Sequence, residues 1–252
     1  MKKFELTTEF ITNVLGKKLF RIKALVEFGN VKAGELGGYV EKEGNVSQSG
    51  NAWVSGNAKV SGNAEVSGNA RVSGNAEVSG KAKVSGNAWV YGNAEVSGNA
   101  KVFGNSWVYD KSEVYDNARV SGNAEVSGNA WVYDDAKVSG NAKVFGNAKV
   151  HDKAKVYDDA KVSGNAEVSG KAKVSGNADY ALVQGFGTKF RCTTFYRGKN
   201  KKIMVNCGCF HGDLEEFRKQ VKETRSGKIA KEYLMIADLM KYHFASEDSS
   251  DE

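Results

Sequence analysis

Valine recurs at every sixth position from Val54 to Val174, and small, polar and variable residues separate the valines in a fixed order. The unit reads V-S-G-N-A-x, and 21 such hexads fill residues 54–179. Within each hexad, the run A-x-V-S alternates with the two-residue period of a β-strand, so alanine and valine share one face. A short fixed period predicts a solenoid, in which each unit buries its apolar side only against its neighbours.

The two positions between successive strands predict tight corners. Glycine or aspartate comes first, and asparagine, lysine or aspartate follows. Glycine and asparagine accept a positive φ with little penalty. Three hexads then close one triangular coil, so residues 18 apart stack in neighbouring rungs about 4.8 Å apart. The six-residue register extends backward through Gln48, Lys42 and Leu36, which predicts about eight coils over residues 36–179 with a first coil that is irregular or partly covered.

Both ends of a solenoid expose strand edges that must be covered. Upstream, alternation over residues 19–28 puts Phe20, Ile22, Ala24, Val26 and Phe28 on one strand face, which predicts an N-terminal cap over residues 1–35. This cap precedes the repeat directly.

Downstream, residues 180–244 predict a small ββαα module. Residues 190–197 and 202–207 are typical of a hairpin around residues 198–201. Asp213 and Glu216 form the pattern of a capping box that opens a helix, and a second helix is expected over about residues 229–243. Residues 245–252 are expected to form an acidic disordered tail.

Two flanking segments carry a family resemblance. Residues 37–48 (GGYVEKEGNVSQ) run into Asn51-Ala52-Trp53-Val54, and the string from Thr193-Thr194-Phe195-Tyr196 through Gly208-Cys209-Phe210 to Leu214-Glu215-Glu216-Phe217 follows the repeat. Together with the hexads, they resemble a group of bacteriophage and prophage hexapeptide-repeat proteins, related by the repeat to the hexapeptide acyltransferase superfamily. The resemblance implies a left-handed parallel β-helix and a homotrimer.

Charge and composition narrow the setting. The net charge is +6, yet residues 36–179 carry 16 basic and 16 acidic side chains, whereas residues 180–244 carry 13 and 6. The basic C-terminal module therefore indicates a surface that attracts anions; a solvated surface that keeps a repetitive protein soluble is the alternative. The three cysteines favour a reducing compartment, and the sequence shows no secretory or membrane-spanning run. We therefore expect a soluble cytoplasmic protein, in the host cytoplasm if a phage encodes it.

The variable position before each valine points outward, and an 18-residue spacing sorts these positions into columns. One column begins at Glu65 and then holds six successive cations. Such a stripe indicates a site for a polyanion or an anionic ligand, because stacked like charges repel. The alternative interpretation is chance within a repeat rich in lysine and glutamate. The cations are Lys83, Lys101, Arg119, Lys137, Lys155 and Lys173.

A second column and its flanking positions concentrate aromatic residues. Exposed aromatic rings on a flat sheet favour self-association, which agrees with the implied homotrimer. A stacking platform for a ligand and isolated exposed rings are the alternatives, and Arg71 is placed for cation–π contacts. The residues are Trp53, Arg71, Trp89 and Trp107, with Tyr91 and Tyr109.

The sequence offers few candidate catalytic or metal-ligating residues. The resemblance to acyltransferases implies a catalytic histidine beside a loop, but no insertion interrupts residues 54–179, and His151 is expected to be incidental because no orienting carboxylate is evident. Cys192, Cys207, Cys209 and His211 are a minor zinc candidate if the last three share one strand face; packing of small thiols is the alternative. We expect no catalytic residue and no cofactor.

Three functions remain. The first is a non-enzymatic binding protein that sequesters an anionic small molecule, such as a host immune nucleotide signal. The second is a structural or assembly trimer of a phage, and the third is an acyltransferase. Nucleic acid is a less favoured partner, because half of the basic hairpin's side chains must face a core.

Overall fold

The computed structural model describes residues 2–188, 191–198 and 202–245. The chain begins with β1 (Phe4–Thr12), β2 (Lys18–Ala24) and β3 (Leu36–Val40), then enters the repeat as strands β4–β24 of two residues each. These strands are Trp53–Val54, Lys59–Val60, Glu65–Val66, Arg71–Val72, Glu77–Val78, Lys83–Val84, Trp89–Val90, Glu95–Val96, Lys101–Val102, Trp107–Val108, Glu113–Val114, Arg119–Val120, Glu125–Val126, Trp131–Val132, Lys137–Val138, Lys143–Val144, Lys149–Val150, Lys155–Val156, Lys161–Val162, Glu167–Val168 and Lys173–Val174.

The repeat winds into a parallel β-solenoid of about eight turns, as the hexads predict. Each coil contributes one strand to each of three sheets, and the register joins residues 18 apart, as in Val84, Val102 and Val120. Sheet I has the order β1-β2-β3-β5-β8-β11-β14-β17-β20-β23, sheet II contains every third strand from β4 to β22, and sheet III every third strand from β6 to β24.

The solenoid interior consists of the valine and alanine columns, whose side chains are buried along the whole repeat. The corners are held by hydrogen bonds between coils, such as Asn123 N to Gly140 O at 2.8 Å. Glycine takes a left-handed conformation there, with φ of +70° at Gly122. Aspartate takes the same conformation at Asp110, Asp116, Asp134, Asp152 and Asp158, which confirms that these aspartates serve as turn residues.

The first coil departs from the extrapolated register. Val40 pairs with Val60 and Val46 with Val66, a spacing of 20 residues, so Val40 and Val46 take the inward positions. The prediction that Leu36, Lys42 and Gln48 continue the valine phase is therefore wrong. Two extra residues between Val46 and Val54 bring valine inward, because burying Lys42 would cost far more than burying valine.

The N-terminal cap extends sheet I. Strands β1 and β2 form an antiparallel hairpin, and β2 pairs antiparallel with β3. The Gln48 side chain accepts a hydrogen bond from Lys3 N at 2.8 Å, which fastens the start of β1 to the first coil. Phe4 and Ile22 are fully buried.

The C-terminal module contains a four-stranded antiparallel sheet and two helices. Its strands are β25 (Tyr180–Phe186), β26 (Arg191–Arg197), β27 (Ile203–Cys207) and β28 (Phe210–Asp213), followed by α1 (Leu214–Thr224) and α2 (Gly227–His243). The expected ββαα order omits β25 and β28.

The module's details agree with the sequence in two places. The Asp213 carboxylate accepts hydrogen bonds from Glu215 N and Glu216 N, which confirms the capping box. Strands β26 and β27 pair as the hairpin requires. Residues 199–201 of its turn and residues 246–252 of the expected tail lie outside the described residues. In the described part of the chain, no helix is long and apolar enough to cross a membrane.

Candidate functional site

Sheet III presents the column of cations that the spacing predicts. Lys83, Lys101 and Arg119 are register partners in successive coils, and Lys137, Lys155 and Lys173 continue the column. All six side chains are exposed. A shallow groove of about 510 Å³ runs over the column. It is lined by Asn99, Lys101, Asn117, Arg119, Asp135, Lys137, Lys153 and Lys155.

Only the first cation of this column has an ionic partner within the described residues. Lys83 Nζ lies 3.0 Å from Glu65 Oε2 in the preceding coil. No described carboxylate lies within 4.0 Å of the five cations that follow. These five form the unpaired column: Lys101, Arg119, Lys137, Lys155 and Lys173.

Cations on the other two sheets are arranged differently. On sheet I, Lys59 pairs with Glu77 at 2.7 Å, and Lys149 Nζ lies 4.8 Å from the centre of the Trp131 ring. On sheet II, Lys143 pairs with Glu125 at 2.9 Å. The same repeat therefore gives cations a neighbouring partner on two faces and leaves them stacked on the third.

A column of polar corner residues borders the unpaired cations. Asn99 Nδ2 donates to Asn117 Oδ1 at 3.1 Å, and Asn117 Nδ2 donates to Asp135 Oδ1 at 3.3 Å. The next coil places Lys153 at this corner. The groove wall thus offers amide groups and one carboxylate beside the cations, and none of its lining residues is aromatic.

Sheet II presents exposed aromatic side chains as predicted, but over fewer coils than predicted. Trp89 and Trp107 stack with ring centres 5.9 Å apart, and Tyr91 and Tyr109 stack at 5.0 Å. Both tryptophans are 42% exposed. The Arg71 guanidinium lies 5.6 Å from the Trp89 ring centre, as expected for a cation–π contact. Burial raises the pKa of Tyr91.

Trp53 does not belong to this surface. It is only 4% exposed and lies edge-on to Phe4 and Phe28, with ring centres 6.3 and 5.4 Å away. The expectation of an exposed Trp53 is wrong, because the N-terminal cap covers the first coil. Local spacing contains no signal for this contact, since Phe4 lies 49 positions upstream.

The His151 ring is held in place by contacts that the sequence analysis does not predict. Its ring stacks on Tyr133 at 4.8 Å, and its Nε2 lies 2.9 Å from Glu167 Oε1. The hydrogen bond from His151 lowers the pKa of Glu167. The expectation that no carboxylate orients His151 is therefore wrong. The pairing escapes detection because Glu167 is one coil away on a diagonal.

One group of potential metal ligands surrounds this histidine. Asp134, His151 and Asp152 place ligand atoms within 4.8 Å of one another, and they are the one such group found among the described residues. Both carboxylates already accept backbone hydrogen bonds, Asp134 from Asp152 N at 3.2 Å and Asp152 from Gly170 N at 2.9 Å. These bonds stabilise the corner and account for the aspartates structurally.

The geometric premise of the zinc candidate is wrong. The chain reverses at Gly208, where φ is +62°, so Cys207 pairs with Phe210 and the two cysteines do not share one strand with His211. His211 instead hydrogen-bonds to the Asn206 side chain and to Ser169 Oγ. Cys192, Cys207, Cys209 and His211 do not form a group of ligands in the described chain.

The C-terminal module seats on the last coil through buried polar contacts that the sequence does not reveal. Asn206 Nδ2 donates to Glu167 O at 3.0 Å and to Ser169 Oγ at 3.1 Å. The buried Tyr196 hydroxyl lies 3.2 Å from the same serine oxygen. The module therefore covers one end of the solenoid.

The winding, the buried valine columns and the repeated corners define a β-solenoid repeat protein. A family model described as YdcK Beta solenoid repeat matches residues 64–80, a segment of about one coil. No curated protein matches the chain significantly. The comparison thus supports a repeat β-helix.

Proposed function

We propose that the basic face of sheet III binds an anionic ligand without chemical turnover. The observation that carries this proposal is the unpaired column, in which five cations follow one another in successive coils with no carboxylate partner in the described chain. Its groove crosses four of these coils, from Lys101 to Lys155.

The stacked cations of the unpaired column repel one another. Two unit charges 5 Å apart in bulk water repel by about 0.8 kcal/mol, and salt and side-chain flexibility reduce this further. A solenoid stable enough to tolerate this repulsion keeps a positive potential along one face. A bound anion removes the repulsion and gains charge-assisted hydrogen bonds from lysine and arginine.

The test uses Lys101→Glu combined with Lys137→Glu. Calorimetric titration with a panel of nucleotides, cyclic dinucleotides, inorganic polyphosphate and acidic oligosaccharides should show binding to the native protein and a loss of about tenfold or more in the variant. The matched control is Lys59→Glu with Lys149→Glu on sheet I, which changes the net charge equally. Equal loss in both variants would show that net charge alone attracts the anion.

Release of the bound ligand by heating distinguishes binding from catalysis. Ligand released by heating should be chemically unchanged, as sequestration requires, and a host immune nucleotide signal is one ligand that the resemblance to phage proteins suggests. Turnover of acetyl-coenzyme A that disappears in His151→Ala would instead support an acyltransferase. His151 follows β20 of sheet I and lies two residues before Lys153 of the groove, so His151→Ala is also titrated with the anion panel, which separates loss of turnover from loss of binding.

A second candidate function is self-association through sheet II, in which a homotrimer is the expected assembly. The exposed stacked pair Trp89 and Trp107 favours it, because large rings on a flat face are typical of interfaces. Light scattering should show a smaller assembly for Trp89→Ser with Trp107→Ser. Trp131→Ser on sheet I is the control; a native mass of one chain would remove this candidate.

A further inference from the structure

We propose that the ligand of the sheet III groove is a linear acidic polysaccharide of the polyuronate type, lying along the solenoid axis. This inference rests on the proposed anion binding and adds the shape and chemical class of the ligand. It follows from the length of the unpaired column and from the residues that line the groove.

The column is long and narrow. Successive cations are separated by one rung, about 4.8 Å, so the groove from Lys101 to Lys155 spans about 14 Å, the unpaired column from Lys101 to Lys173 spans about 19 Å, and its extension to Lys83 spans about 24 Å. A mononucleotide places its phosphates over one or two rungs and leaves the other cations unneutralised. A chain that presents one anion per repeating unit meets one cation per coil.

The groove wall favours a ligand that carries hydroxyl groups. Asn99, Asn117 and Asp135 form a hydrogen-bonded series beside the cations, and each retains side-chain acceptor or donor capacity. A polyuronate presents a carboxylate and hydroxyls on every ring. Its carboxylates meet the cation column, and its hydroxyls meet the amide column and the Asp135 carboxylate.

The same residues disfavour other linear anions. Single-stranded nucleic acid binds through bases stacked on aromatic rings, and the groove lining contains none. Polyphosphate has no hydroxyl donors along its length, and it would meet the Asp135 carboxylate with repulsion. Fully charged chains without donors therefore fit this wall less well than a hydroxyl-bearing chain.

The experiment measures affinity against chain length on the full-length protein, with 1,4-linked uronic acid oligomers from dimer to hexamer. Affinity should rise by about tenfold or more from dimer to hexamer, as each added carboxylate gains a surface ion pair. Lys83→Gln with Lys173→Gln should weaken the hexamer and leave the dimer unchanged, since the central cations remain. Lys59→Gln with Lys149→Gln is the control.

The outcomes separate the two proposals. Anion binding that does not strengthen with length would overturn the polysaccharide inference and leave the anion-binding function intact. Tighter binding of polyphosphate or of single-stranded DNA with the same number of charges would overturn the ligand class. Absence of binding both to this series and to the nucleotide panel of the first titration would remove the proposed function itself.

Discussion

A corner glycine in the left-handed conformation should contribute more to stability in the middle of the solenoid than at its end. Gly122 has φ of +70°, and a Cβ at this position would lie 2.9 Å from Gly140 O and 3.0 Å from Gly140 N of the next coil. Alanine at this position therefore meets two penalties. It takes a conformation that L-residues avoid, and it presses on a backbone that cannot rotate away.

The magnitude of the effect follows from these two penalties. The left-handed conformation costs about 1 to 2 kcal/mol, and overpacking a tight site adds about 1 to 3 kcal/mol. We therefore expect Gly122→Ala to lower the free energy of unfolding by about 3 kcal/mol, which corresponds to roughly 6–12 °C in melting temperature for a chain of this size.

Two glycines at the same phase of the hexad serve as matched controls. Gly164 has φ of +66°, but its added Cβ would meet only Leu182 Cδ2, at 3.3 Å, so Gly164→Ala should cost about 1 to 2 kcal/mol from backbone conformation alone. Gly176 has an extended φ of −143° and no atom within 4 Å, so Gly176→Ala should change stability by less than about 1 kcal/mol.

An aspartate at the same corner should destabilise the solenoid less than an alanine does. Asp110 occupies a left-handed corner, and its carboxylate accepts a hydrogen bond from Gly128 N of the next coil at 3.1 Å. Gly122→Asp can gain the equivalent bond from Gly140 N, so it should retain more stability than Gly122→Ala. Urea unfolding followed by circular dichroism measures all four variants. Equal losses for Gly122→Ala and Gly176→Ala would refute the corner argument.

Two further perturbations test the cap and the histidine pair. Trp53→Ala should cost about 3 kcal/mol, as removal of a buried tryptophan does, and should speed hydrogen exchange in β1 and β2 but not in the central coils; Trp131→Ala, at an exposed position on sheet I, is the control. Glu167 has a pKa lowered below its ordinary 4.5, chiefly by the His151 hydrogen bond. Its contribution to stability is therefore present above pH 4.5 and is lost as the pH falls through the lower folded-state pKa. The melting temperature of Glu167→Gln should accordingly decline less steeply in acid than that of the native protein, and parallel declines would contradict this linkage.

The fold of the repeat can be predicted because the residue type at each inward and corner position of the hexad is determined by its local geometry. Valine fills the wall, alanine fits beside the corner, and glycine accepts the left-handed turn, so the 18-residue spacing alone is enough to place Lys101 beside Arg119. The first coil was not predicted correctly, because extrapolation of a six-residue period cannot detect a two-residue insertion. A signal was present: Val40 and Val46 are themselves six residues apart.

Contacts between distant parts of the chain account for the remaining differences. Trp53 is buried by Phe4 and Phe28 of the N-terminal cap, and His151 meets Glu167 on a diagonal between coils. Strand β28 contains only four residues, including Gly212, and its alternation is too short to distinguish it from a loop. In each case, the decisive partner lies outside any sequence window that defines the local element.

Different positions of the hexad have different roles, and the outward positions are the ones whose residue types can reflect function. Inward valine and alanine, together with the corner glycine, account for winding and stability, so an outward side chain is free to change without disturbing the coil. On sheets I and II, this freedom yields opposite charges one coil apart in Lys59 with Glu77 and Lys143 with Glu125. Sheet I also stacks three like charges, Glu77, Glu95 and Glu113, which is a shorter run than the cations of sheet III. Sheet III has the same freedom and retains five successive cations that have no carboxylate partner among the described residues. A negatively charged partner would relieve the repulsion along the whole column, and the charge-reversal variants test this proposal directly.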